Sequence, residues 1–146
     1  MRFWDSSAIV PLLVYEAMSP RMHELYEADS FIFAWWGTEV ECASAICRRQ
    51  RAGGLRADTA RDAILRLTAL RAGWHEVEPG EDVRESAKRF LRVHDLRAAD
   101  ALQLAAAFFA SEARPATLEL VTLDDRLLEA ANREGFPTPP LAMRHR

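Results

Sequence analysis

Short apolar runs alternate along this chain with longer stretches in which apolar residues recur every three or four positions. A brief apolar run between polar breaks predicts a buried strand, and the longer period predicts an amphipathic helix. Strands are predicted over Arg2–Trp4, Phe31–Trp35, Trp74–Val77 and Leu118–Thr122. Between them fall helices. One runs from Ser6 or Ser7 to about Glu16, with Pro11 tolerable only in its first turn. A second opens at Ser19-Pro20 and carries Met22, Leu25 and Tyr26 on one face. A third starts at Thr38 and stops at Gly53-Gly54. Asp58 caps a fourth, in which Ala60, Ile64, Leu67 and Leu70 recur, and Gly73 ends it. A fifth covers Glu81–Val93. A strongly apolar sixth begins at Arg97 or Ala98 and runs through Ala113 until Pro115 breaks it. The last spans Asp125–Arg133 and is closed by Gly135, and Pro137–Pro140 is read as a final short strand.

Strands alternating with helices predict an α/β fold with a mainly parallel central sheet. Helices outweigh strands, which points to a three-layer α/β/α sandwich. No repeat, linker or low-complexity segment interrupts the pattern, so residues 1–146 are expected to form one domain. No apolar run approaches the roughly 18 residues of a membrane span, and no signal peptide opens the chain. A soluble, cytoplasmic protein is expected. Cys42 and Cys47, five residues apart, fit neither a C-x-x-C site nor one helix face, and read as buried thiols of a reducing compartment.

Charge adds little by itself. The balance of 19 Lys and Arg against 22 Asp and Glu gives −3 and does not demand a nucleic-acid partner. Almost every cation is arginine, Lys88 being the one lysine. That bias fits a GC-rich coding sequence as well as a preference for bidentate phosphate contacts. Arg48, Arg49, Arg51 and Arg56 cluster after the Thr38 helix begins, where they suit either an RNA backbone or a solvated helix end. His23, His75, His94 and His145 form no ligand pair, and no P-loop, G-x-G-x-x-G or G-x-S-x-G motif occurs. Phe31, Phe33, Trp35 and Trp36 read as core.

The chemistry lies in four acids embedded in apolar or small-residue sequence: Asp5, Glu41, Asp100 and Asp124. A carboxylate is costly to bury without a partner. Each lies at the end of a predicted element, where open parallel sheets carry their sites. Singly, each has a structural explanation. Asp5 and Asp124 suit turns or caps, Asp100 suits a helix first turn, and Thr38-x-x-Glu41 is a capping-box pattern. Gathered together, they suit a hard divalent cation such as Mg²⁺ or Mn²⁺, and with it phosphodiester hydrolysis.

The contexts of these acids resemble the PIN domain, and most closely the VapC toxins of toxin–antitoxin pairs. The matching segments are the hydrophobic-Asp5-Ser6-Ser7 start, Glu41 followed by Ala45-Ile46 and Arg48, the string Leu96–Ala105 around Asp100, and Val121-Thr122-x-Asp124. The resemblance spans essentially the whole chain and is most specific around Asp100. It implies a Mg²⁺- or Mn²⁺-dependent endoribonuclease with Asp5, Glu41, Asp100 and Asp124 as catalytic acids. Asp5 and Asp100 would ligate the metal, and Ser7 and Thr122 would support the site. Arg97 is a candidate phosphate contact. Glu39 rivals Glu41 and Asp125 rivals Asp124, but the spacing within the motifs favours Glu41 and Asp124. The family also implies an RNA substrate, a cognate antitoxin and a homodimer, with an apolar face near Tyr15, Met18, Met22, Leu25 and Tyr26 available to a partner. Two other readings remain: a non-catalytic RNA- or protein-binding module, and a PIN-like nuclease acting on DNA.

Overall fold

A computed structural model describes residues 1–142. Four strands, β1 (Arg2–Trp4), β2 (Ile32–Trp35), β3 (His75–Val77) and β4 (Glu119–Val121), form one sheet in the order β3-β2-β1-β4. All neighbouring pairs are parallel, with Phe3 opposite both Phe33 and Leu120. Of seven α-helices in the described residues, the first six supply, in pairs, the crossovers that parallel strands require, and the seventh follows β4. The helices are α1 (Ser6–Leu13), α2 (Ser19–Ala28), α3 (Thr38–Arg51), α4 (Ala57–Gly73), α5 (Glu81–Val93), α6 (Ala98–Ala110) and α7 (Asp125–Glu134).

Side chains alternate across a strand, and here the alternation sorts the core into two layers. Phe3, Trp35, Val77 and Leu120 pack with α5, α6 and α7. Trp4, Ile32, Ala34 and Val121 pack with α1 to α4. The result is the three-layer α/β/α sandwich expected from the sequence. Ala101, Ala105, Ala106 and Ala107 are fully buried. Their small side chains let α6 lie close to the sheet, which carries its first turn to the rim where the strands end.

Several expected boundaries shift, for local reasons. The first helix ends at Leu13, not Glu16, because the buried Ser19 hydroxyl donates to Val14 O and accepts the Glu16 N–H. Pro11 stands in its second turn, not the first. The sixth helix stops at Ala110, because Glu112 and Ala113 take left-handed backbone angles. Arg56, not Asp58, occupies the N-cap position of α4. No strand forms over Pro137–Pro140. Pro137, Pro139 and Pro140 lack N–H donors, and the segment attaches through its carbonyls instead, Pro137 O to Leu120 N and Pro140 O to the buried Arg21 guanidinium.

Other residues differ in exposure from their reading. Cys42 is buried but Cys47 is exposed, since five residues along a helix turn the two thiols away from each other. Trp36 and Phe31 flank β2, their backbones still bonded to Val77 and Arg2 of the neighbouring strands, but their side chains are exposed where core was expected; Phe31 stacks on His75. His94 meets Glu134 at 2.6 Å. His145, with the tail Arg144–Arg146, lies outside the described residues.

Gly135 shows why the last helix ends where the sequence says. Its φ of 95° is a left-handed conformation that a Cβ would strain, and the turn lets Phe136 N–H reach Ala131 O.

Candidate active site

Parallel strands end along one rim, and the acids are delivered there. Asp5 directly follows β1 and holds the N-cap position of α1, with its N–H bonded to Val121 O across the end of β4. This backbone bond fixes the exit of β1 against the exit of β4. Asp5 is only 3% exposed. The Ser7 hydroxyl donates to Asp5 Oδ1 at 2.7 Å and accepts the Leu123 N–H at 2.9 Å. Thr122 Oγ1 lies 3.3 Å from Ser7 Oγ and accepts the Asp124 N–H.

Glu41 projects from the first turns of α3, which begins immediately after β2. Gly37 makes that entry possible: a Cβ there would stand 2.6 Å from the Trp35 indole nitrogen. Ser6 Oγ donates to Glu41 Oε1 at 3.3 Å, and Gln103 Nε2 donates to Glu41 Oε2 at 2.9 Å. The same Gln103 nitrogen donates to Thr38 Oγ1 at 2.9 Å. Thr38 and Glu41 therefore do not form the capping box their spacing suggests. Gly37 takes the N-cap position, and both side chains turn inward to Gln103. Glu39 points elsewhere and pairs with Arg71 at 3.0 Å on the α4 side.

Asp100 sits in the first turn of α6, and Arg97, an exposed residue, holds the N-cap position. Asp124 is the N-cap of α7 and accepts the Leu127 N–H at 2.9 Å, so its capping role is real. Asp125 begins α7 and is exposed.

These acids feel one another in sequence across the rim. Burial pushes the Asp5 carboxyl up to about 7, with the Ser7 and Thr122 hydroxyls opposing the rise and the Glu41 charge adding to it. Burial also raises Glu41; Gln103 and Ser6 lower it, and the charge of Asp100 raises it further. Asp100 is raised by burial and then by Asp124, against a backbone hydrogen bond from Arg97 and the cations of Arg126 and Arg97. Three neighbouring carboxyl groups are thus held above their ordinary range, each made costlier by the next. Burial likewise pushes up the Cys42 thiol beside them, keeping it neutral and unreactive.

Oxygen donors of this kind fit a hard cation. Among the described residues no three Asp, Glu, His or Cys side chains form a ready-made metal cluster; the acids are coupled by charge, Asp5 to Glu41, Glu41 to Asp100 and Asp100 to Asp124. Mg²⁺ takes one or two carboxylates and keeps waters for the rest of its shell, so it needs no such cluster. Gln103 Oε1, buried and without a hydrogen-bond partner, adds an orphaned acceptor beside the acids that such a water shell can satisfy.

Sequence reading missed Ser6, Thr38, Gln103 and Arg126. Two had a signal: Ser6 adjoins Asp5, and Gln103 follows Asp100 by three residues on the same helix face. Arg126 had none.

No family model and no curated protein matches the sequence. Solved structures do match. The chain superposes with a TM-score of 0.67 on VapC20 of Mycobacterium tuberculosis, described as a sarcin–ricin loop cleaving toxin, at 17% identity over 89% of this chain and 95% of that one. A chain of a toxin–antitoxin complex from Klebsiella pneumoniae matches at 0.65 and 14% identity, covering 97% and 98%. A chain of FitAcB from Neisseria gonorrhoeae matches at 0.63 and 17%, covering 97% and 98%. The chain therefore shares the PIN-like α/β/α fold of these structures over nearly its full length.

Proposed function

We propose that this protein is a metal-dependent endoribonuclease and the toxin of a VapBC-type toxin–antitoxin pair. The observation that carries the reading is the series Asp5, Glu41, Asp100 at the strand ends, three buried or half-buried carboxyl groups, each raised first by burial and then by the charge of a neighbouring acid. Such an arrangement lowers stability unless a cation compensates it. Its position at the carboxyl ends of the strands, in a fold shared with a sarcin–ricin loop cleaving toxin, supports nuclease activity.

Asp5 and Asp100 would hold Mg²⁺ or Mn²⁺. When bound, the cation supplies charge stabilisation to the phosphoryl oxygens and makes water more acidic. The chain's own residues prepare that chemistry. Ser7 and Thr122 orient the Asp5 carboxylate and keep it ionisable despite burial. Ser6 and Gln103 hold Glu41 from opposite oxygens, which leaves its remaining lone pairs to orient water. Asp124 caps α7 and adds negative charge beside Asp100. Arg97, exposed at the head of α6, is the cation nearest in sequence for a substrate phosphate.

A cognate antitoxin and a homodimer complete the proposal; the matched structures include a toxin–antitoxin complex. Met22 and Leu25, of the apolar face near the early helices, belong to the core, whereas Tyr15 is 87% exposed and available.

The test is cleavage of structured RNA with Mg²⁺ or Mn²⁺ by the wild type, Asp5→Asn and Asp100→Asn, with DNA of the same sequence alongside. Cleavage of RNA alone, lost in both variants, is expected. Equal cleavage by all three proteins would reveal a contaminant and end the proposal.

A further inference from the structure

A cavity of about 600 Å³ adjoins the acids, and its lining connects them to one arginine. Ser6, Ser7 and Glu41 form its acidic end, Ser44 and Ala45 continue along α3, and Arg48 stands at the far end. Seven residues separate Glu41 from Arg48, nearly two helical turns. Both side chains therefore share a face, about 10 Å apart along the axis. The four-arginine cluster that follows Glu41 divides sharply here. Arg49 also lines the cavity, but Glu16 neutralises it in an ion pair. Arg51 and Arg56 lie outside, and Arg56 pairs with Asp58. Among the described residues Arg48 is exposed and has neither an ion-pair nor a side-chain hydrogen-bond partner.

We infer that Arg48 is a phosphate-binding residue for the RNA strand flanking the point of cleavage, and that this cavity is the channel along which the strand leaves the acids. The inference rests on the ribonuclease reading. Val10, Val40, Ala45 and Leu123 make the walls of the cavity largely apolar, and of its two arginines only Arg48 is unpaired, since Glu16 and Arg49 neutralise each other. The free guanidinium offers a planar fork for phosphate, about two helical turns from Glu41. Arg97 and Arg126 act on Asp100 and line no part of this cavity. A strand reaching from Glu41 to Asp100 would thus meet Arg48 by the first acid and these cations by the second.

The experiment measures anisotropy of a fluorescein-labelled single-stranded RNA against salt, in Mg²⁺ buffer, with the Asp100→Asn chain as background. Adding Arg48→Ala is expected to weaken binding roughly tenfold and to reduce the slope of log affinity against log salt by about 0.7. Arg51→Ala, outside the cavity, should change neither. Arg48→Lys should keep the slope and recover part of the affinity. Equal losses in Arg48→Ala and Arg51→Ala would mean diffuse attraction and overturn the assignment. Unchanged binding in Arg48→Ala would also overturn it and leave the cavity to a protein partner. Either result, with wild-type RNA cleavage intact, leaves the ribonuclease reading standing. Absence of both binding and cleavage in the wild type would remove that reading itself.

Discussion

The Ser7 hydroxyl donates its one proton to Asp5 Oδ1 at 2.7 Å while receiving the Leu123 N–H at 2.9 Å. One oxygen thereby joins the end of β1, the start of α1 and the chain leaving β4. The proton count follows. Ser7 has spent its hydrogen on Asp5, so in the 3.3 Å contact between the two hydroxyls Thr122, whose oxygen accepts the Asp124 N–H, is the donor to Ser7 Oγ.

Replacing Ser7 by alanine removes the 2.7 Å hydrogen bond to Asp5 and orphans the Leu123 N–H. A loss of about 1–3 kcal/mol in chemical denaturation is expected. The Asp5 carboxyl should rise further, because burial then acts with less opposition. If Asp5 works ionised, the acid limb of the pH–rate profile moves to higher pH. A profile that falls in height without moving would assign Ser7 a purely structural part.

Asp5 itself makes stability depend on pH in an unusual direction for an acid. Its folded-state value, about 7, stands above the ordinary 3.8. Its contribution is therefore fully present below about pH 4 and is lost as pH rises toward and through 7, at about 1.4 kcal/mol per unit of separation. In metal-free buffer, the Asp5→Asn protein should gain stability relative to wild type between pH 5 and pH 8, on the scale of that window. Thermal denaturation across the range reads the difference, which should shrink when Mg²⁺ is added. A constant difference at all pH values would contradict the burial of a titrating Asp5.

Gln103 is 1% exposed and joins Thr38 to Glu41. Leucine at this position fits the apolar surroundings but supplies no donor. Glu41 should rise further, and cleavage should fall by about 10- to 100-fold, as for other supports of metal-site ligands. Steady-state cleavage kinetics beside circular dichroism would separate this loss from unfolding. Unaltered kinetics would show that Glu41 needs no support from α6.

The entry to α3 depends on Gly37. An alanine Cβ would press on the Trp35 indole at 2.6 Å, in a position where Trp35 is nearly buried. Gly37→Ala should cost about 1–3 kcal/mol, as overpacking does. It should also lower Mg²⁺ affinity by displacing Glu41, measurable by calorimetry. A variant as stable as wild type would mean that Trp35 swings aside at little cost.

Much of this fold could be read from period alone. The helices from α3 to α6 repeat their apolar residues over three or more turns, so burial on one face dictates both their existence and their type. The four short strands each bury at least one apolar residue and are separated by helical lengths, which suits parallel crossovers. Boundaries failed where a single hydrogen bond or backbone angle decides, as at Ser19 after α1 and at Glu112-Ala113 after α6. The prolines after Phe136 suggested a strand by their extended preference. What they lack is the donor that pairing needs.

For the candidate site, the sequence alone determined which residues were chemically unusual: four acids in apolar settings at element ends, with Ser7 and Thr122 beside two of them. It also expressed a preference for Glu41 over Glu39 through motif spacing. Only the tertiary structure decided which groups share a field. Long-range contacts turn Glu41 toward Ser6 and Gln103, send Glu39 to Arg71, make Asp124 a cap, and leave Arg48 without a partner while Arg49 is neutralised. The physical reason is range. Periodicity and capping act within a few residues, whereas desolvation and charge coupling depend on neighbours from distant parts of the chain, brought to one rim by parallel strands.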